Sequence, residues 1–68
     1  MLIKVTGIEG GAYLINPNRI MLIEPYKSRT YKEATTIVFD EANILRVVES
    51  FDEILGLIER SDIRGKAD

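Results

Sequence analysis

The chain has 68 residues, 46% of them hydrophobic and 29% charged, and its formal net charge is −2. This composition is typical of one small globular domain and excludes a disordered segment. A domain this short buries only about 60% of the surface that its unfolded chain exposes. Because the chain contains no cysteine and no histidine, disulfides and soft metal ligands cannot stabilise it, and we expect self-association to supply additional burial.

Charge and hydropathy also restrict the expected location. The acidic total gives no general attraction to nucleic acid or to an anionic membrane, so such binding requires a local basic patch. The sequence does not open with a basic region followed by a long apolar run, and no segment approaches the roughly 18 apolar residues of a membrane span. We therefore expect a cytoplasmic protein without membrane insertion.

The first residues predict a β-hairpin. Residues 2–6 alternate in polarity after the first residue, with Ile3 and Val5 on one face. A glycine-rich turn follows, in which Gly10 and its neighbour Gly11 can adopt the positive φ that a hairpin demands. Residues 12–16 then predict a second strand with apolar side chains on both faces, which indicates that both faces are partly covered.

The Asn16-Pro17-Asn18 turn ends the second strand, because proline fixes φ and asparagine bonds its own backbone. Residues 20–23 follow as an unbroken apolar run, typical of a strand that is buried on both sides or covered by a partner. Pro25 cannot donate a ladder hydrogen bond, so we place it at a strand end or on a free edge.

Two further strands are predicted in the second half. Residues 26–34 have a basic bias and predict an extended hairpin loop. Residues 35–39 are β-branched and aromatic, with Ile37 and Phe39 on the inward face, and predict a fourth strand. After an acidic turn, residues 44–48 predict a fifth strand that pairs with the fourth as an antiparallel hairpin.

The chain ends with one predicted amphipathic helix, at about residues 50–63. Ser50 and Glu53 have the spacing of a capping box, in which each side chain bonds the other residue's amide. The apolar stripe consists of Phe51, Ile54, Leu55 and Ile58, with Leu57 at its margin. We predict a single β-rich domain over residues 1–63 and a flexible tail over residues 64–68.

The fold class is therefore α+β: a small antiparallel β-meander or barrel-like sheet of about five short strands, followed by one C-terminal amphipathic helix. Periodicity does not distinguish an open sheet from a closed barrel.

The order of these motifs resembles the small flagellar and swarming-motility family FlbD (SwrD-like). The similar segments are Ile3-Lys4-Val5-Thr6, Leu14-Ile15-Asn16-Pro17-Asn18-Arg19-Ile20, Ile23-Glu24, Thr35-Thr36-Ile37, Val47-Val48, Glu49-Ser50 and Glu53-Ile54. They extend over residues 2 to about 58. The resemblance implies an accessory or regulatory role in flagellar assembly or swarming, and it transfers no catalytic residue.

Enzymatic catalysis is not expected, and no catalytic residue, cofactor or metal is predicted. The chain has no Cys–His pair and no phosphate-binding glycine loop that opens a helix. Its adjacent carboxylates, Asp40-Glu41 and Asp52-Glu53, lie in a predicted turn and a helix cap, where structural roles are expected.

A nucleic-acid patch is the second hypothesis, because aromatic rings can stack on bases while neighbouring cations contact phosphates. Its candidate residues are Arg19, Tyr26, Lys27, Arg29, Tyr31 and Lys32. Alternatively, these residues form a solvated loop that protects an exposed sheet edge.

Binding to a protein partner, together with homo-oligomerisation, is the favoured hypothesis. A thin core cannot hide every apolar side chain, and the surplus marks an interface. The candidate interface residues are Ile20, Met21, Leu22, Ile23 and Leu57. Alternatively, these side chains complete the core of the monomer.

Overall fold

Five short strands and one C-terminal helix make up the chain. The computed structural model describes the backbone of residues 1–67 and the side chains of residues 1–61. The elements are β1 (Ile3–Thr6), β2 (Ala12–Ile15), a 3-10 turn (Pro17–Arg19), β3 (Leu22–Tyr26), β4 (Ala34–Val38), β5 (Ile44–Val47) and α1 (Phe51–Ala67). The predicted α+β architecture is confirmed.

Within each of the two sheets, strand pairing is antiparallel and follows chain order. One sheet is the β1–β2 hairpin, with Ile3 opposite Ile15. The other has the order β3-β4-β5, so the predicted hairpin between the fourth and fifth strands is confirmed. The turn between β1 and β2 contains Gly10, which adopts a φ of 105°. The 3-10 turn joins β2 to β3, and the Asn16 side chain accepts the Asn18 backbone N–H to cap it.

A short antiparallel bridge between Gly7 and Val47 joins the two sheets. Two backbone hydrogen bonds flank it, from Val48 N–H to the Thr6 carbonyl at 2.8 Å and from Ile8 N–H to the Arg46 carbonyl at 3.1 Å. The strands therefore follow one another as β2-β1-β5-β4-β3. In the described part of the chain no backbone hydrogen bond joins β2 to β3, so the sheet is open, with these two strands at its edges.

Pro25 lies within edge strand β3, opposite Thr35. The Phe39 N–H donates to the Asn43 carbonyl, and alternation from this pair directs the backbone groups of Thr35 toward β5. At this position β3 and β4 therefore exchange no hydrogen bond, and proline removes none. Of the two placements predicted for Pro25, a strand end or a free edge, the structure shows the free edge.

Short aliphatic side chains form the core, where α1 packs across the inner face of the sheets. The buried cluster consists of Ile3, Val5, Ile15, Ile37, Val47 and Ile54, and Phe39, Leu57 and Ile58 pack against it while partly buried. Leu55, predicted in the apolar stripe, is 38% exposed. The helix is therefore rotated so that Leu57, predicted at the margin, lies closer to the core.

The predicted capping box is present at the start of α1. The Glu53 N–H donates to Ser50 Oγ at 3.1 Å, and the Ser50 N–H donates to Glu53 Oε1 at 2.9 Å. The helix is assigned through Ala67. Side chains from residue 62 onward lie outside the described part, so the domain boundary at residue 63 and the flexible tail over residues 64–68 stay predictions.

Candidate interaction surface

An apolar row crosses the outer face of the three-stranded sheet. Leu22, Val38 and Ile44 lie directly opposite one another on β3, β4 and β5. Their neighbour Ile37 is fully buried on the inner face, so alternation directs the row outward. Leu22 is 44% exposed and Ile44 is 54% exposed, with Val38 partly buried between them. We call these three residues the outer row.

A polar row lies beside the outer row on the same face. Glu24, Thr36 and Arg46 are paired across the three strands. The Arg46 guanidinium carbon lies 4.7 Å from the centroid of the Tyr26 ring, within the range of a cation–π interaction. The outer face therefore presents aliphatic side chains next to an arginine that an aromatic ring holds in place.

The structure separates the predicted interface residues. Ile20, Ile23 and Leu57 pack against the core while partly buried, whereas Met21 is 59% exposed and Leu22 belongs to the outer row. Sequence reasoning missed the other two members of the outer row, Val38 and Ile44. Alternation from the inward Ile37 was the signal that could have found Val38.

The basic loop keeps its cations exposed and uses its aromatic rings within the chain. Lys27, Arg29 and Lys32 are exposed. The Tyr31 hydroxyl donates to the Ile8 carbonyl at 3.0 Å, which ties the loop to the first hairpin. Of the other two predicted residues, Tyr26 lies beneath Arg46, and Arg19 ends the separate Pro17–Arg19 turn.

Glu49 joins the start of the helix to both sheets, and this role was not predicted. Its carboxylate accepts the Thr6 N–H at 2.9 Å. Its carbonyl accepts the Thr35 hydroxyl at 2.8 Å, and Thr35 is fully buried. Because Thr6 precedes Glu49 by 43 positions, no local motif could have signalled the contact.

Two of the four carboxylates considered for chemistry, Asp40 and Glu53, have structural partners. Asp40 Oδ1 accepts the Ala42 N–H at 2.8 Å and the Asn43 side-chain amide at 2.9 Å. The Asn43 side-chain bond, followed by the Ala42 backbone bond, lowers the pKa of Asp40 below its ordinary value. Glu53 serves in the helix cap. The described residues contain no group of three or more acidic, histidine or cysteine side chains that could hold a metal ion.

Comparison with known proteins provides no relative. No family model, curated protein or solved structure matches the chain significantly. Within the described residues, α1 and the 3-10 turn do not combine the length and apolar character that crossing a membrane requires. The chain's own surfaces are therefore the basis for assigning a function.

Proposed function

We propose that the chain is a non-enzymatic protein-interaction module that binds a partner protein through the outer row. The supporting observation is the exposure of Leu22 and Ile44 in one continuous aliphatic row with Val38. An antiparallel sheet with one face on the core usually presents polar side chains on the other. A contiguous apolar patch with a polar border is typical of a protein-binding site.

The energetics indicate what the partner contacts. Full burial of a leucine or isoleucine contributes about 1.5–3 kcal/mol, so completing the burial of two half-exposed side chains contributes about 2 kcal/mol in total. This is too little to offset the entropy lost on association. The partner must therefore also contact the adjacent polar row, where Arg46 is the strongest candidate because arginine is enriched among residues that dominate binding energy.

The resemblance to the FlbD (SwrD-like) family supports a more specific proposal. The partner belongs to the machinery of flagellar assembly or swarming, and the chain acts on it as an accessory or regulatory factor in the cytoplasm. Affinity capture from the native organism tests this role. Recovery of a flagellar or motility protein supports it, whereas reproducible recovery of a different partner contradicts it.

Charged substitutions in the outer row test the binding surface. Leu22→Glu with Ile44→Glu should abolish capture of the partner, because a carboxylate would have to be desolvated at the contact. Leu55→Glu is the matched control, since Leu55 is also exposed but lies on the helix. Loss in the double variant alone supports the proposal. Equal capture by wild type and the double variant, with unchanged circular dichroism, contradicts it.

We also propose that the chain forms a homo-oligomer. The buried cluster is small, while large apolar side chains remain exposed on several elements, and small domains gain burial by association. Light scattering at micromolar concentration should give a multiple of the 7.7 kDa chain mass. A mass of one chain at every concentration would contradict this.

Nucleic-acid binding is a second candidate, supported by the exposure of Lys27, Arg29 and Lys32 on one loop. Binding to a mixed RNA or DNA pool should then weaken as salt rises. Arg29→Glu with Lys32→Glu should abolish it without unfolding the domain. Undiminished binding by this variant would exclude the loop as the site.

A further inference from the structure

The free edge of β2 carries backbone groups that no described residue bonds. The Gly7 N–H donates to the Gly11 carbonyl, and alternation along the register directs the N–H and C=O groups of Ala12 and Leu14 away from β1. Thr6 confirms this alternation: opposite Ala12, its own backbone groups point away from β2 and bond Val48 and Glu49.

This edge lacks the features that prevent strands from pairing between molecules. Charged side chains and proline are the usual protections of an edge strand, and the sequence of β2, Ala-Tyr-Leu-Ile, has neither. The opposite edge strand, β3, contains both Glu24 and Pro25. The two edges therefore differ, and only β2 offers an uninterrupted set of donors and acceptors.

Exposed apolar side chains accompany the free edge. Leu14 is 66% exposed and Tyr13 is 45% exposed on β2. These side chains are distinct from the outer row. A covering molecule at this edge would bury them while it satisfies the backbone.

From this edge we infer that two copies of the chain pair through β2, antiparallel, with the twofold axis at Tyr13. This inference rests on the proposed self-association and specifies its surface. In this register the Ala12 N–H donates to the carbonyl of the partner's Leu14, and the Leu14 N–H donates to the carbonyl of the partner's Ala12. Symmetry doubles both bonds, so every outward group of Ala12 and Leu14 is satisfied.

The two neighbouring symmetric registers satisfy fewer groups. An axis at Leu14 places Ala12 opposite the partner's Asn16, whose carbonyl already accepts the Arg19 N–H at 2.9 Å. An axis at Ala12 places Leu14 opposite the partner's Gly10, which lies in the turn with a φ of 105°. The register centred on Tyr13 is therefore favoured.

Charge does not oppose this pairing. Lys4 lies one strand inside the edge, opposite Leu14. The lysines of the two copies would be separated by three strand spacings, about 14 Å. This distance exceeds the Debye length of about 8 Å at physiological salt, so their repulsion is screened. A second copy is therefore electrostatically compatible with the edge.

Leu14→Pro tests the edge by removing one outward donor, and it leaves the ladder with β1 intact because that donor is not used there. Sedimentation equilibrium should show a dimer for the wild type. Because symmetry removes two interchain hydrogen bonds, the dissociation constant of the dimer should rise about 30-fold or more. Leu14→Ala is the matched control, since it keeps the backbone donor and should stay within tenfold of wild type.

The chain has no native cysteine, so single-cysteine variants provide a second test. This test does not depend on whether Leu14→Pro folds. In the inferred register the two copies of Tyr13→Cys form a non-hydrogen-bonded pair with Cα atoms about 4.5 Å apart, close enough for a disulfide. In Ala12→Cys the equivalent atoms are about 8 Å apart, which is too far. Mild oxidation should cross-link only the first variant.

The outcomes separate this inference from the proposed function. A dimer that persists in Leu14→Pro, or equal cross-linking of Tyr13→Cys and Ala12→Cys, would overturn pairing through β2 and leave self-association through another surface. A wild-type protein that is monomeric at every concentration would overturn both the pairing through β2 and the proposed self-association. Ile44→Lys, in the outer row, should keep the dimer, because that row does not belong to the β2 edge.

Discussion

Replacing Thr35 with valine should destabilise the domain by about 1–2 kcal/mol. Thr35 is fully buried, and its hydroxyl donates to the Glu49 carbonyl at 2.8 Å. Valine has nearly the same shape, so packing is retained while a part-buried carbonyl loses its partner. An unsatisfied buried acceptor costs about 1–3 kcal/mol, and the added methyl group recovers up to about 0.8 kcal/mol.

Thermal unfolding followed by circular dichroism measures this effect. A domain of this size loses about 4–8 °C of melting temperature per kcal/mol, so the midpoint should fall by about 5–15 °C. Thr36→Val is the matched control, because Thr36 adjoins Thr35 on β4 but its hydroxyl bonds no described residue; its midpoint should change by less than about 4 °C. Equal midpoints for the two variants would refute the role of the Thr35–Glu49 bond in joining the helix start to the sheet.

The remaining stability predictions concern turns and the helix. Ser50→Ala removes half of the capping box and should lower the free energy of unfolding in urea by about 1 kcal/mol; an unchanged midpoint would contradict the role of Ser50. Gly10→Ala should destabilise the domain, because a φ of 105° strains an alanine. Gly56→Ala should instead raise the free energy of unfolding by about 0.5–1 kcal/mol, because a Cβ there meets nothing within 4 Å. The opposite order for these two glycines would be inconsistent with the structure. Asp40 has a lowered pKa in the folded protein, so folding favours its ionised form. The contribution of Asp40 to the free energy of unfolding is therefore complete above its unfolded pKa of about 3.9. It is lost as the pH falls through the lowered pKa of the folded state. The stability difference between wild type and Asp40→Ala should therefore shrink between pH 7 and pH 2, and a difference independent of pH would contradict this ionisation effect.

Features defined by neighbouring residues were predictable from the sequence. The spacing of Ser50 and Glu53 predicted the capping box, because its hydrogen bonds extend over three residues. Pro25 was restricted to a strand end or a free edge, because a missing N–H is tolerated at both, and the structure shows the free edge. The alternation of Ile3 and Val5 likewise identified the inner face of β1.

Features that depend on distant pairing were not predictable. The bridge from Gly7 to Val47 and the contact from Thr6 to Glu49 both join positions about 40 apart. The predicted apolar stripe included both Ile54 and Leu55, and only the rotation of α1 on the sheet buries the first and exposes the second.

The candidate surface shows the same division. The apolar run over residues 20–23 was recognised, but its members divide between the two faces. The strand begins at Leu22, which points outward, whereas Ile20 and Ile23 pack against the core. The outer row exists only because β3, β4 and β5 pair in one particular register. Membership of Ile44 follows from that register and not from its local sequence.

The affinity of the captured partner for purified variants tests the proposed interaction most directly. Titration calorimetry should show at least 100-fold weaker binding for Leu22→Glu with Ile44→Glu, and binding within threefold of wild type for Leu55→Glu. Equal affinity for wild type and the double variant, with both folded, would contradict the assignment of the outer row as the binding surface.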